Sequence, residues 1–142
     1  MECDTEKLMR AARTAALNAY APYSRFRVGA ALLGADGVFY TGCNVENSSF
    51  GLTICAERNA VFHAVASGCC QFRALALAAT RRVTPCGACR QVLAEFAPAE
   101  MPVYMADLEA GEIRMSTLGA LLPEAFGEEE AALLQRTDDG KE

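Results

Sequence analysis

The sequence predicts an α/β fold in which a sheet packs between helical layers. Three observations predict it. Segments with apolar residues at helical spacing alternate with short strand-like runs, the pattern of mixed α/β domains. Residues 72–79 form a nearly continuous apolar run, which suits a strand covered on both faces. Two strand-like runs flank Ala35-Asp36-Gly37, a turn signal that makes them a hairpin.

The elements follow in order. Residues 4–21 read as a helix with Leu8, Ala12, Ala15, Ala16 and Ala19 on one side, capped by Asp4 and stopped by Pro22. Residues 26–33 and 38–43 are the paired strands, and residues 44–51 are polar and turn-like. Residues 54–67 form the next helix, opened by Thr53, with Cys55 in its first turn and Gly68 as its stop. The strand at 72–79 precedes a helix over 86–96, for which Thr84 and Pro85 read as N-cap and first residue. Residues 103–106 and 112–115 are two further strands, and 118–122 is a short helix. Residues 128–142 are an acidic tail expected to fray or stay solvated, which leaves 1–127 as a single domain.

With 142 residues, 52% hydrophobic and 22% charged, the chain has the composition of a soluble globular domain with a proper core. Its net charge of −5 weighs against a nucleic-acid partner, which calls for a basic face. No secretion signal opens the chain, and no apolar run approaches the ~18 residues of a membrane span. Seven cysteines, an odd number, point with that to a reducing cytoplasm and free thiols.

Three of those cysteines form a split motif. Cys55-Ala56-Glu57 comes first, and Pro85-Cys86-Gly87-Ala88-Cys89 follows. Cys86 and Cys89 lie three apart, so on a helix both sulfurs share one face and can reach one ion. Three thiolates leave a fourth zinc position open, whereas structural zinc is closed by four ligands. A helix N-terminus favours the thiolate form. Glu57 is placed to pass protons beside the ion without ligating it. Cys3, Cys43, Cys69 and Cys70 read as ordinary thiols, and the lone His63 as a packing or surface residue.

Cys55-Ala56-Glu57-Arg58 and Pro85-Cys86-Gly87-Ala88-Cys89-Arg90-Gln91 resemble the small homotetrameric zinc-dependent cytidine deaminases. So do the run from Tyr23 through Phe26 to Ala31 and the segment Asn44-Val45-Glu46-Asn47. The likeness spans roughly residues 20–126. It implies a three-layer α/β/α sandwich with a five-stranded mixed sheet. It also implies one Zn2+ per subunit on Cys55, Cys86 and Cys89, with Glu57 as the proton shuttle. By the same resemblance, Asn44 and Glu46 bind the ribose 3′-hydroxyl, Phe26 lies against the pyrimidine, and the Ala56 N–H faces its O2. Phe126 is implied to enter a neighbouring subunit's pocket, and Arg58 and Arg90 to hydrogen-bond the thiolates. The implied reaction is hydrolytic deamination of cytidine and 2′-deoxycytidine in pyrimidine salvage, in a homotetramer with shared active sites. Two departures stand out: Phe50 replaces the tyrosine of many relatives, and the stretch 79–83 is short.

Other readings compete. Phe26 also suits a core strand, and Asn44 and Glu46 suit turn chemistry. Phe126 also suits ordinary packing, and Arg58 and Arg90 surface ion pairs. A deaminase for a modified cytosine nucleoside such as blasticidin S shares the zinc pattern, though the Asn44–Glu46 pair argues against it. A non-catalytic zinc module would want a fourth ligand and would not need Glu57.

Overall fold

The computed structural model describes residues 3–109 and 111–127; the acidic tail lies outside the described residues. The elements are α1 (Thr5–Ala16), β1 (Val28–Gly34), β2 (Phe39–Cys43), a 3-10 turn (Phe50–Leu52), α2 (Ala56–Ala66), β3 (Phe72–Ala79), α3 (Gly87–Phe96), β4 (Pro102–Asp107), β5 (Arg114–Thr117) and α4 (Leu118–Leu121). Five strands form one sheet in the order β2-β1-β3-β4-β5. Every neighbouring pair is antiparallel except β3 and β4, which α3 joins as a parallel crossover. The fold is thus the expected α/β sandwich on a five-stranded mixed sheet.

Alternation along β3 builds two cores. Leu75 and Leu77 face α2 and α3 with Val61, Leu93 and Val103. Ala74, Ala76 and Ala78 face the other way, against Leu8, Met9 and Ala12 of α1. Small residues on that face let α1 sit close to the sheet. A β-carbon on Gly29 would lie 2.0 Å from the Ala12 carbonyl oxygen. Gly42 does the same for α2: a β-carbon there would lie 2.6 Å from the Ala56 oxygen and 2.4 Å from the Ala60 nitrogen. Two close approaches therefore seat the helices, and the second fixes the end of α2 that carries the metal motif.

Several boundaries differ from the expectation. The Asp4 side chain does cap α1, accepting from Lys7 N at 3.1 Å. That helix ends at Ala16 rather than before Pro22, because the Tyr20 backbone pairs with Asn44 and Glu46 instead. β1 starts at Val28, since Phe26 gives its carbonyl to the Asn44 amide and its N–H to the Ser24 hydroxyl. Cys55 and Cys86 are themselves the N-caps of α2 and α3, where Thr53 and Thr84 were expected to open the helices. Neither cysteine makes a side-chain cap hydrogen bond, so both sulfurs stay free to point at a common centre.

Candidate metal centre

Two helix starts bring the three sulfurs together. Cys55 Sγ lies 3.8 Å from Cys86 Sγ, and Cys86 Sγ lies 3.3 Å from Cys89 Sγ. All three fall within 4.8 Å of one another. Sulfurs bound at about 2.3 Å around one tetrahedral zinc lie about 3.8 Å apart, so the set fits that ion. Among the described residues this is the one such cluster of metal-ligating side chains.

Electrostatics favour a thiolate at Cys55. The Cys55 thiol is pushed down to about 5, first by a hydrogen bond from Cys89 and then by Arg58. Cys89 is pushed up by that same bond and by burial, so Cys55 is the first of the pair to ionise. Arg58 Nη2 lies 3.5 Å from Cys55 Sγ, and the sulfurs of Cys55 and Cys89 hold its guanidinium in the charged form. Arg58 follows Cys55 by three positions, which puts both on one helix face.

Glu57 sits beside this centre with only 4% of its surface exposed. Burial pushes its carboxyl up, and the charge of Cys55 pushes in the same direction. A carboxyl raised in this way holds a proton more readily, which suits a group that must take one up and pass it on. Glu57, Ala56, Cys55, Cys86 and Asn44 line one cavity of about 210 Å³, walled also by Val28, Thr53, Val83 and Thr84. The sequence reading named neither Thr53, Val83 nor Thr84 as site residues. Their place just before the two motif cysteines was the available signal.

Asn44 lines this cavity, whereas Phe26 and Glu46 are not among its lining residues; Asn44 and Glu46 are both held by internal hydrogen bonds. Asn44 is 8% exposed; its Nδ2 donates to Phe26 O at 2.8 Å, and its Oδ1 accepts from Val28 N at 2.9 Å. One amide N–H and one lone pair remain for a ligand. Glu46 Oε1 accepts from the backbone of Tyr23 and Ser24, and Oε2 accepts from the Ser24 hydroxyl. These bonds, led by the Ser24 hydroxyl, hold the Glu46 carboxyl below its ordinary value, so it stays charged. Phe26 is half-buried between these two anchors.

Arg90 lies elsewhere than the resemblance implies. Arg90 does not meet the sulfurs. Its Nε donates to Pro85 O at 2.6 Å, its Nη1 to Leu121 O at 2.6 Å and its Nη2 to Thr84 Oγ1 at 3.0 Å. Consecutive residues on a helix point about 100° apart; Cys89 faces the centre and Arg90 faces the loop and α4. Phe126 lies at a separate groove of about 610 Å³ with Phe96, Leu118 and Leu122, and is 55% exposed. Phe50 is also exposed, its ring edge-on to Tyr23 at 5.9 Å. His63 meets Thr41 O at 3.0 Å and the Tyr40 ring, away from the metal cluster.

An α/β/α sandwich with a three-thiol cluster and a buried carboxyl beside one cavity describes a zinc-binding protein equipped for proton transfer. The comparisons narrow this. Residues 2–105 match the family model for the cytidine and deoxycytidylate deaminase zinc-binding region. The chain is 52% identical to a cytidine deaminase from Sporosarcina psychrophila, over 89% of this chain and 94% of that protein. It is 50% identical to one from Halalkalibacterium halodurans, over 89% and 97%. A crystal structure of cytidine deaminase from Burkholderia pseudomallei superposes with a TM-score of 0.82 at 44% identity, covering 87% of this chain and 100% of that one. The chain belongs to the zinc-dependent cytidine deaminase family. No helix among the described residues is long and apolar enough to cross a membrane.

Proposed function

We propose that the protein hydrolyses cytidine and 2′-deoxycytidine to uridine and 2′-deoxyuridine, releasing ammonia. The observation that carries this reading is the single cavity shared by Cys55, Cys86, Glu57 and Asn44. Membership of the deaminase family and the names of the relatives support it.

Zinc held by Cys55, Cys86 and Cys89 supplies a Lewis acid that makes water a usable nucleophile near pH ~7. The residues of the chain do the rest. Glu57 takes a proton from the attacking water and places it on N3 as the oxygen bonds to C4. Glu57 then moves the remaining hydroxyl proton to the amino group. The C4–N bond breaks, ammonia leaves, and C4 becomes the carbonyl of uridine. The Ala56 N–H is assigned to O2 of the base and Phe26 to its ring face. Asn44 and Glu46 are assigned to the 3′-hydroxyl, through the capacity their internal bonds leave free. Recognition there does not read the 2′ position, so both sugars are accepted. Free cytosine forgoes the hydrogen bonds from Asn44 and Glu46 and is expected to be a poor substrate.

The cavity of about 210 Å³ is smaller than the ~300 Å³ at which pockets begin to enclose small ligands. We assign the missing wall to Phe126 of the partner subunit, in a cytoplasmic homotetramer whose catalytic domains span residues 1–127. Ultraviolet assay with cytidine, 2′-deoxycytidine, cytosine and blasticidin S, before and after chelation of zinc, tests the reading. Loss of absorbance with the two nucleosides alone, abolished by chelation and restored by zinc, is expected. Preference for blasticidin S, or activity indifferent to the metal, overturns it.

A further inference from the structure

Arg90 and Gln91, consecutive on α3, grip the chain on either side of a strained bend. Arg90 Nη1 donates to Leu121 O, the last carbonyl of α4, which the helix itself leaves unpaired. The same guanidinium holds Pro85 O and Thr84 Oγ1, so it ties the cavity wall before Cys86 to the end of α4. Five residues past Leu121, the Phe126 carbonyl accepts from Gln91 Nε2 at 2.8 Å. Between the two anchors Glu124 has φ +52°, a left-handed conformation that a residue with a β-carbon keeps only where its surroundings enforce it.

We propose that Arg90 and Gln91 are positioning residues that fix the direction in which Phe126 leaves the subunit. The helix that carries Cys89 would then also set the aromatic wall presented to the neighbouring pocket. This rests on the assignment of Phe126 to that pocket. A guanidinium serves three acceptors on two segments at once, which a lysine amine at the same place does not. Gln91 contributes one neutral hydrogen bond at the exposed surface of α3, so its removal leaves the core intact.

The test is kinetic, on zinc-loaded oligomer, with Gln91→Ala, Phe126→Ala, the double variant and Arg90→Lys. Phe126→Ala is expected to raise KM for cytidine. Gln91→Ala should raise KM roughly three- to tenfold, the size of one hydrogen bond, with kcat and zinc content near those of the parent. In the Phe126→Ala background, Gln91→Ala should add nothing. Arg90→Lys should raise KM further than Gln91→Ala, with only the part that acts through the Thr84 wall persisting in that background. An unchanged KM in Gln91→Ala while Phe126→Ala is impaired overturns the clasp and leaves the role of Phe126 standing. Additive losses in the double variant overturn it as well. A fully active Phe126→Ala removes the shared-wall assignment and this inference together.

Discussion

At Glu57 a carboxyl is buried against a cluster of sulfurs, and the same burial that raises its affinity for a proton makes it useful. Glu57→Gln keeps the shape and removes the proton. Activity should fall about 10²- to 10⁴-fold, the usual worth of a general acid–base group, with zinc content and thermal midpoint retained. Arg58 answers a different problem. Three thiolates outweigh the charge of one zinc ion, and the Arg58 guanidinium 3.5 Å from Cys55 Sγ draws some of that excess away. Arg58→Gln should lower kcat about 10- to 100-fold, the scale of lost support to a metal ligand, with the metal still bound by elemental analysis. The metal triplet was legible in the sequence because each half of it is a local pattern at a helix start, Cys55-Ala56-Glu57 in one and Cys86-Gly87-Ala88-Cys89 in the other. Arg90 was not, because adjacency to Cys89 in sequence means divergence around the helix.

At the level of elements, β1, β2, β3 and β4 were legible from apolar runs and one turn signal. The starts of α2 and α3 were read two residues early. Ser, Thr, Asp and Asn are the usual N-caps, and Thr53 and Thr84 each stand two positions before a cysteine that takes the cap with no cap bond of its own. The seat of α2 was also invisible, since a glycine in a strand does not announce what lies over it. Gly42→Ala should destabilise the fold by ~1–3 kcal/mol through overpacking, seen as a lower denaturation midpoint, and should weaken zinc retention by shifting the start of α2. The β1–β2 hairpin carries a pH dependence of its own. Tyr40 donates to the Asp36 carboxylate, which pushes its hydroxyl up to about 12. A group raised in the folded state stabilises fully below its unfolded value of ~10 and loses that contribution as pH rises through about 12. The gap in thermal midpoint between the parent and Tyr40→Phe should therefore narrow between pH 10 and 12.

For the whole molecule, the question is whether one subunit's site is complete. The cavity beside Glu57 is small, and Phe126 lies on a different groove of the same chain. Sequence could place Phe126 in a neighbour only through resemblance, because no spacing rule relates it to the cysteines. Mixing answers it. Glu57→Gln and Phe126→Ala subunits are each impaired, but a Glu57→Gln subunit carries an intact Phe126. Co-refolded mixtures should recover activity above the sum of the two homo-oligomers, while activity equal to that sum excludes shared sites.

The separation of Cys55 from Cys86, 31 positions along the chain, has a consequence for how the ion is acquired. Cys86 and Cys89 are neighbours as soon as one turn of α3 forms, but Cys55 joins them only after β3 is laid between β1 and β4. The full ligand set thus exists late in folding, after the long-range pairing that limits its rate. Zinc is then expected to act as a latch on a nearly finished molecule rather than as a seed for it. Chains made under zinc starvation should therefore accumulate as assembled but idle protein, rescued within minutes by added metal without new synthesis.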